Sequence, residues 1–217
     1  MVELPQKRPA RRSRRWIRVT AGIFVCLLAV ILYFRFPIQW SKTIVGTVTI
    51  EGSGEPVEGA VVFLVWKASY GWSGTVCEHI ESTVTDAQGQ YRIPAWIKLA
   101  PYPGSSRRVQ IPIAYKAGFR YTGAYDNDVY VVPFVGTASQ RVEYLAQLAG
   151  NASCSPRSQR MRQALPPLKA MLAEAESLAS TSEDQVSVYV IRYDIDFIEI
   201  GGEEMMRQFL RDHPPGT

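Results

Sequence analysis

The chain has 217 residues, 47% of them hydrophobic, and a formal net charge of +4. This allows one domain of ordinary size plus extras, with enough apolar residues for a real core. The charge is unevenly placed: residues 1–18 hold seven basic side chains against Glu3 alone, whereas from residue 40 onward sixteen basic side chains face nineteen acidic ones. The basic balance is therefore a terminal feature suited to anionic lipid heads. It gives no case for nucleic acid as a partner.

After Arg18 comes a run of sixteen uncharged residues, Val19 to Phe34, closed by Arg35. With its flanks it makes a segment over 17–38 of about 20 residues, long enough to cross the ~30 Å hydrocarbon core. Trp16, Tyr33 and Trp40 fall where interfacial aromatics are expected. The basic cluster predicts a cytoplasmic tail over 1–18, with everything beyond about residue 38 across the membrane. No small-x-small site follows the apolar run, so an uncleaved signal anchor is expected, with membrane lipid as its partner. Cys26 lies inside this run as apolar filler. Cys77 and Cys154 fall beyond it, in an oxidising compartment where they could pair.

Residues 42–50 alternate with period two, as a half-buried strand does. Glu51 to Pro56 is turn chemistry, and Ala60 to Trp66 is continuously apolar, as a strand covered on both faces would be. Residues 69–79 are expected to form a long loop. Ile80, Ser82 and Val84 open the next strand, and Asp86-Ala87-Gln88-Gly89 is a turn before Tyr91-Arg92-Ile93. A second loop is expected over 100–106. Val109 to Tyr115 alternates around Pro112, which places that strand at a sheet edge. Val129 to Phe134 is a further strand. Helical spacing then appears over 140–149. It returns after Pro167 as an apolar stripe of Leu168, Met171, Leu172, Ala175 and Leu178. Val186 to Tyr193 is predicted to return to strand, followed by a short terminal helix over 203–211.

Short strands at this spacing predict a mainly-β fold, an antiparallel β-sandwich over 42–135. The remainder, 136–217, is expected as a helical insertion, a returning strand and the short terminal helix. Gly46-x-Val48, Gly54-x-Pro56-Val57-x-Gly59-Ala60-x-Val62, Thr85-Asp86-x-x-Gly89-x-Tyr91 and Tyr115-Lys116-Ala117-Gly118-Phe119 together resemble the carboxypeptidase regulatory-like domain. The resemblance implies a transthyretin-like or Ig-like sandwich of about seven strands acting as an accessory module, with chemistry carried elsewhere. It leaves 136–217 unassigned.

Two histidines, His79 and His213, are too few for a zinc peptidase or a histidine-based hydrolase. No catalytic, metal or cofactor residue is assigned, and no cofactor is expected. Cys77 and His79 lie two apart and are expected on one strand face. Asp126-Asn127-Asp128 and Asp194-x-Asp196 offer oxygen ligands without a full calcium-loop pattern. The binding candidates are loop aromatics: Tyr70 and Trp72 in one loop, Tyr102 in another, Tyr121 and Tyr125 in a third. The expectation is a non-enzymatic, single-pass inner-membrane protein. Its periplasmic or extracytoplasmic domain would bind another envelope protein. The alternatives are a carbohydrate-binding module that uses the loop aromatics on a glycan, and an enzyme of unknown class.

Overall fold

The computed structural model describes residues 11–35, 38–69, 75–99, 106–109, 112–152 and 159–201, together with Glu204, Met205, Arg207 and Arg211. The chain divides into two compact units, one of residues 1–40 with 97–104 and one of 41–96 with 105–217.

The first unit holds helix α1 (Arg11–Arg35) and, apart from Ser41 and Trp96, which belong to the second, a two-stranded sheet of β1 (Ile38–Ser41) with β6 (Trp96–Leu99). The helix ends three residues before the expected 38, in keeping with a proline at 37. From 19 to 31 every side chain is exposed, including Phe24, Val25 and Ile31. Among the described residues, no helix is long and apolar enough to cross a membrane. The span expected over 17–38 is therefore not supported by the helix as described.

The second unit is a sandwich with a helical layer on one side. One sheet runs β5 (Gln90–Ile93), β2 (Ile44–Ile50), β10 (Asp128–Pro133), β9 (Phe119–Tyr125). The other runs β4 (Thr75–Val84), β3 (Val61–Ser69), then β7 (Ser106–Val109), with β8 (Ile113–Tyr115) also paired to β3. The sandwich is not wholly antiparallel: β10 pairs with β2 in parallel, Val129 opposite Val48. Nor are the described residues mainly β, since among them helix outweighs strand at 46% against 32%. Of the loop expected over 69–79, Ser69 belongs to β3 and 75–79 to β4, while 70–74 lie outside the described residues. The single strand expected over 109–115 is instead two, β7 and β8, both paired to β3 at the sheet edge, with Pro112, which has no N–H for a ladder, just before β8.

Strand β3 explains the layering. Val62 to Trp66 are all at most 1% exposed, so both faces of the strand are covered. Val62, Leu64 and Trp66 meet Val48, Tyr91, Ile93, Val129 and Val131 between the two sheets. Phe63 and Val65 join Ile80 and Tyr115 in a second core. Its other wall comes from α2 (Ala138–Ala152), α3 (Leu165–Leu178) and α4 (Ser182–Ile200). In α3 the stripe Leu168, Met171 and Ala175 is buried as its spacing predicts, with prolines in the first turn.

The glycines of the sequence motifs have steric causes. A Cβ at Gly46 would lie 2.1 Å from the Asn127 carbonyl oxygen and 2.8 Å from Tyr91 Oη. Gly89 takes φ +69°, and a Cβ there would lie 2.6 Å from the Val48 carbonyl oxygen. Its turn is held by Asp86 Oδ1, which accepts the N–H groups of Gln88 (3.0 Å) and Gln90 (2.8 Å). The buried Thr85 hydroxyl donates to Val57 O at 2.6 Å and accepts the Ala60 N–H at 2.8 Å, tying the two turns together.

One buried polar network joins the helices to the strands. Arg141 on α2 is 3% exposed and grips Glu174 on α3 in a fork, Nε to Oε1 and Nη2 to Oε2, both at 2.9 Å. Its remaining N–H groups donate to the carbonyls of Phe119 and Lys116. Tyr115 Oη donates to Glu174 Oε2 at 2.8 Å, and the Gly118 N–H to Oε1 at 3.3 Å. Burial alone would raise the Glu174 pKa. The bonds from Arg141, Tyr115 and Gly118 and the Arg141 charge outweigh it and hold the carboxyl below its usual value. The Tyr115 hydroxyl is pushed upward by burial and by Glu174. Glu174→Leu leaves the Arg141 charge buried without its partner. It is expected to cost about 3 kcal/mol or more in urea denaturation. A loss under about 1 kcal/mol would mean that the pair does not hold the helices in place.

Candidate functional site

Of the aromatic residues expected to form a binding surface, Tyr70, Trp72 and Tyr102 lie outside the described residues, as does Cys154. Tyr121 and Tyr125 are described and do not form a loop site; both belong to strand β9. Tyr121 is half-buried against the sandwich core, and its N–H donates to Tyr144 Oη at 2.8 Å. Tyr125 is 75% exposed at the far end of the same strand, beside a turn in which Asp126 takes φ +54°. Sequence spacing could not separate them from loop residues, because Thr122-Gly123-Ala124 between them has no apolar alternation.

Cys77 and His79 do not share a face. The β3–β4 register shifts between Trp66 and Lys67: Trp66 opposes His79, but Lys67 opposes Cys77, so Glu78 is the extra residue of a bulge. Cys77 turns toward the helices, where it packs on their core. Cys77 is disulfide-bonded, and Cys26 is free. His79 lies with Trp66 and Trp96, ring centroids 5.3 Å and 4.3 Å away. The two indoles meet edge to face at 5.3 Å. His79 Nε2 lies 2.9 Å from Glu81 Oε1, an ion-pair distance without hydrogen-bond alignment. Burial raises the Glu81 pKa. This is a tightly packed aromatic corner with one histidine–carboxylate pair. It was hidden in the sequence because a bulge and a distant tryptophan assemble it.

The expected strand over 186–193 is instead the middle of helix α4. The start of the helix decides this. Thr181 Oγ1 accepts the Asp184 N–H at 3.1 Å, and Asp184 Oδ2 accepts the Thr181 N–H at 2.9 Å, a reciprocal capping box. The same carboxylate takes the Ser180 N–H at 2.9 Å and the Ser139 hydroxyl at 3.2 Å. From that start, Val188, Ile191, Ile195 and Ile198 fall on one face and are buried. Packing overrides the β-branched composition that suggested a strand.

The opposite face of α4 is also apolar. Val186, Tyr189, Val190, Tyr193, Phe197 and Ile200 recur at i, i+3, i+4, i+7, i+11 and i+14. Val186 and Tyr189 are 64% and 63% exposed, and Val190, Tyr193 and Ile200 are 44–45% exposed. Tyr189, Tyr193 and Phe197 form a ridge with centroids 6.3 Å apart. A single amphipathic helix with one partner needs one apolar stripe, and α4 carries two on opposite sides.

The oxygen-rich segments have structural uses or lie apart. Asp128 Oδ1 accepts both the N–H and the hydroxyl of Thr47, at 3.0 and 2.8 Å. Asp194 and Asp196 are on a helix, where residues two apart point in different directions. Among the described residues no group of three or more His, Cys, Asp or Glu could hold a metal ion.

No protein-family model matches the chain, and no curated protein matches it. A solved structure of a 9R-lipoxygenase from Cyanothece PCC8801 is similar at 10% identity with a TM-score of 0.20. The match covers 66% of this chain and 25% of the lipoxygenase chain, so this chain spans about a quarter of that protein's length. So slight a likeness carries no argument about fold or activity.

The cap makes α4 pH-sensitive in a defined direction. The N–H groups of Ser180 and Thr181 lead the causes that hold the Asp184 pKa at about 2, below its ordinary 3.8. A depressed carboxyl stabilises the fold above its unfolded pKa and loses that contribution as the pH falls through the folded one. Melting temperature is therefore expected to drop more steeply between about pH 4 and pH 2 in the wild type than in Asp184→Asn. Parallel profiles would remove Asp184 as the cause. For the cysteines, a non-reducing peptide map is expected to yield one crosslinked product containing Cys77 and Cys154. A Cys77 adduct with any other thiol would refute the pairing.

Proposed function

We propose that this chain is a non-enzymatic, single-pass protein of the cell inner membrane, with an extracytoplasmic sandwich-and-helix unit acting as an accessory interaction module. The observation that carries the interaction reading is the second apolar stripe on α4. Exposed apolar surface in one continuous line, rimmed by charge, is typical of a binding face. The membrane reading draws on the basic tail and on the uncharged run Val19 to Phe34, whose described side chains face outward on every side of α1. A run of helix without charge on any side suits lipid better than water. The resemblance to the carboxypeptidase regulatory-like domain is supported by the structural demand for glycine at 46 and 89 and by the Thr85 tie between its turns.

A photo-crosslinking amino acid placed at Tyr193 in the membrane-inserted full chain tests this reading. A discrete, heavier adduct is expected from position 193. None is expected from Gln88, an exposed residue on the turn before β5. No adduct at 193, together with tryptophan fluorescence that responds to glycans and is silenced by Trp72→Ala, would overturn the reading in favour of carbohydrate binding.

A further inference from the structure

The outer face of α4 has a shape and a charge that specify its occupant. Its apolar residues span 186–200, about 21 Å of helix, and their spacing is that of one helix prepared to pack against another. The ridge of Tyr189, Tyr193 and Phe197 supplies the large, rigid side chains that such packing uses. The borders of the stripe are acidic. By helical position Glu183 lies along one side and Asp196 along the other. Arg192 is turned to Glu176 and Lys169 to Glu199, at 2.5 Å each, so these two cations are already answered within the chain. Glu176, Glu183, Asp194, Asp196 and Glu199 against Lys169 and Arg192, five acids and two bases, leave this border three charges negative among the described residues of α3 and α4.

We propose that the outer face of α4 is the docking surface for an amphipathic helix whose apolar stripe is flanked by lysine or arginine. The proposal rests on the interaction-module reading above and names the chemistry of its partner. Complementary charge selects such a helix and disfavours a second copy of this chain, which would set acidic border against acidic border. The same borders disfavour an anionic lipid surface. The four turns of stripe match an occupant of about 14 to 18 residues, the length over which a helix buries one continuous seam.

The test uses the full chain in nanodiscs of neutral lipid and two fluorescent synthetic 18-residue helices. Both carry the same leucine and isoleucine stripe. One is flanked by lysine and arginine, the other by glutamate. Anisotropy titrations are expected to show the basic-flanked helix binding at least tenfold tighter, with the gap closing as salt is raised. The double variant Tyr189→Ser/Tyr193→Ser is expected to weaken that binding at least tenfold at an unchanged melting temperature. If that variant unfolds, Val186→Lys, at a position 64% exposed, takes its place. Equal affinity for the two helices, no binding of either, or equal binding to empty nanodiscs would overturn the proposal. So would sedimentation showing a wild-type dimer that the α4 variant dissolves, which would assign the face to a second copy. A Tyr193 crosslink in membranes alongside no preference for the basic helix would defeat only the partner chemistry. Loss of the crosslink defeats the module reading itself.

Discussion

Strand β3 is apolar on both faces, and every layer of the larger unit follows from that. A strand with Val62, Leu64 and Trp66 on one side and Phe63 and Val65 on the other must be covered twice. The second sheet meets one requirement. The other needs a second wall, and α2, α3 and α4 provide it. Burying five consecutive side chains of this size contributes several kilocalories per mole on each face. The helices therefore complete the same cores that the strands begin.

Apolar contact alone would let three helices slide over a sheet. The fork of Arg141 on Glu174 limits this, because a guanidinium with carbonyl partners on one side and a carboxylate on the other fits one arrangement. It registers α2 against α3 and both against the segment 115–119. Asp184 does the same for α4 through Ser139 on α2 and the N–H groups of 180 and 181. Three charged side chains, Arg141, Glu174 and Asp184, thus set where the helices lie, while the aliphatic side chains supply most of the burial.

Much of the sandwich was legible in the sequence because its signals are local. The alternation through Val48, the unbroken run to Trp66, the Asp86–Gly89 turn and the edge position signalled by Pro112 each reflect a neighbourhood of a few residues. The stripe of α3 was legible for the same reason. The failures are equally specific. Val186, Val188 and Val190 alternate as in a strand, and only the pair Thr181 and Asp184, three apart, marks the region as helical. Once α4 is taken for a strand, its outer stripe is invisible, because those residues line up only at helical spacing. The Trp66–His79–Trp96 corner depends on a bulge at Glu78 and on a contact across 30 residues, neither of which has a linear signature. Tyr121 and Tyr125 looked like loop residues because a glycine and two small residues stand between them. The parallel pairing of β2 with β10 has no trace in composition at all.

That pairing sets an order of events. β2 joins β5 after the chain has run through one hairpin, but its other edge waits for β10, Thr47 and Asp128 being 81 residues apart. Contacts of that separation form late, and a chain that emerges N-terminus first presents β2 long before its partner exists. The β3–β4 hairpin forms from neighbouring segments and is ready early. The two sheets are therefore finished at different times, and the inter-sheet side of Val48 is sealed only by the last strand. Any pause in synthesis between residues 50 and 128 leaves that strand with an open edge and an uncovered face.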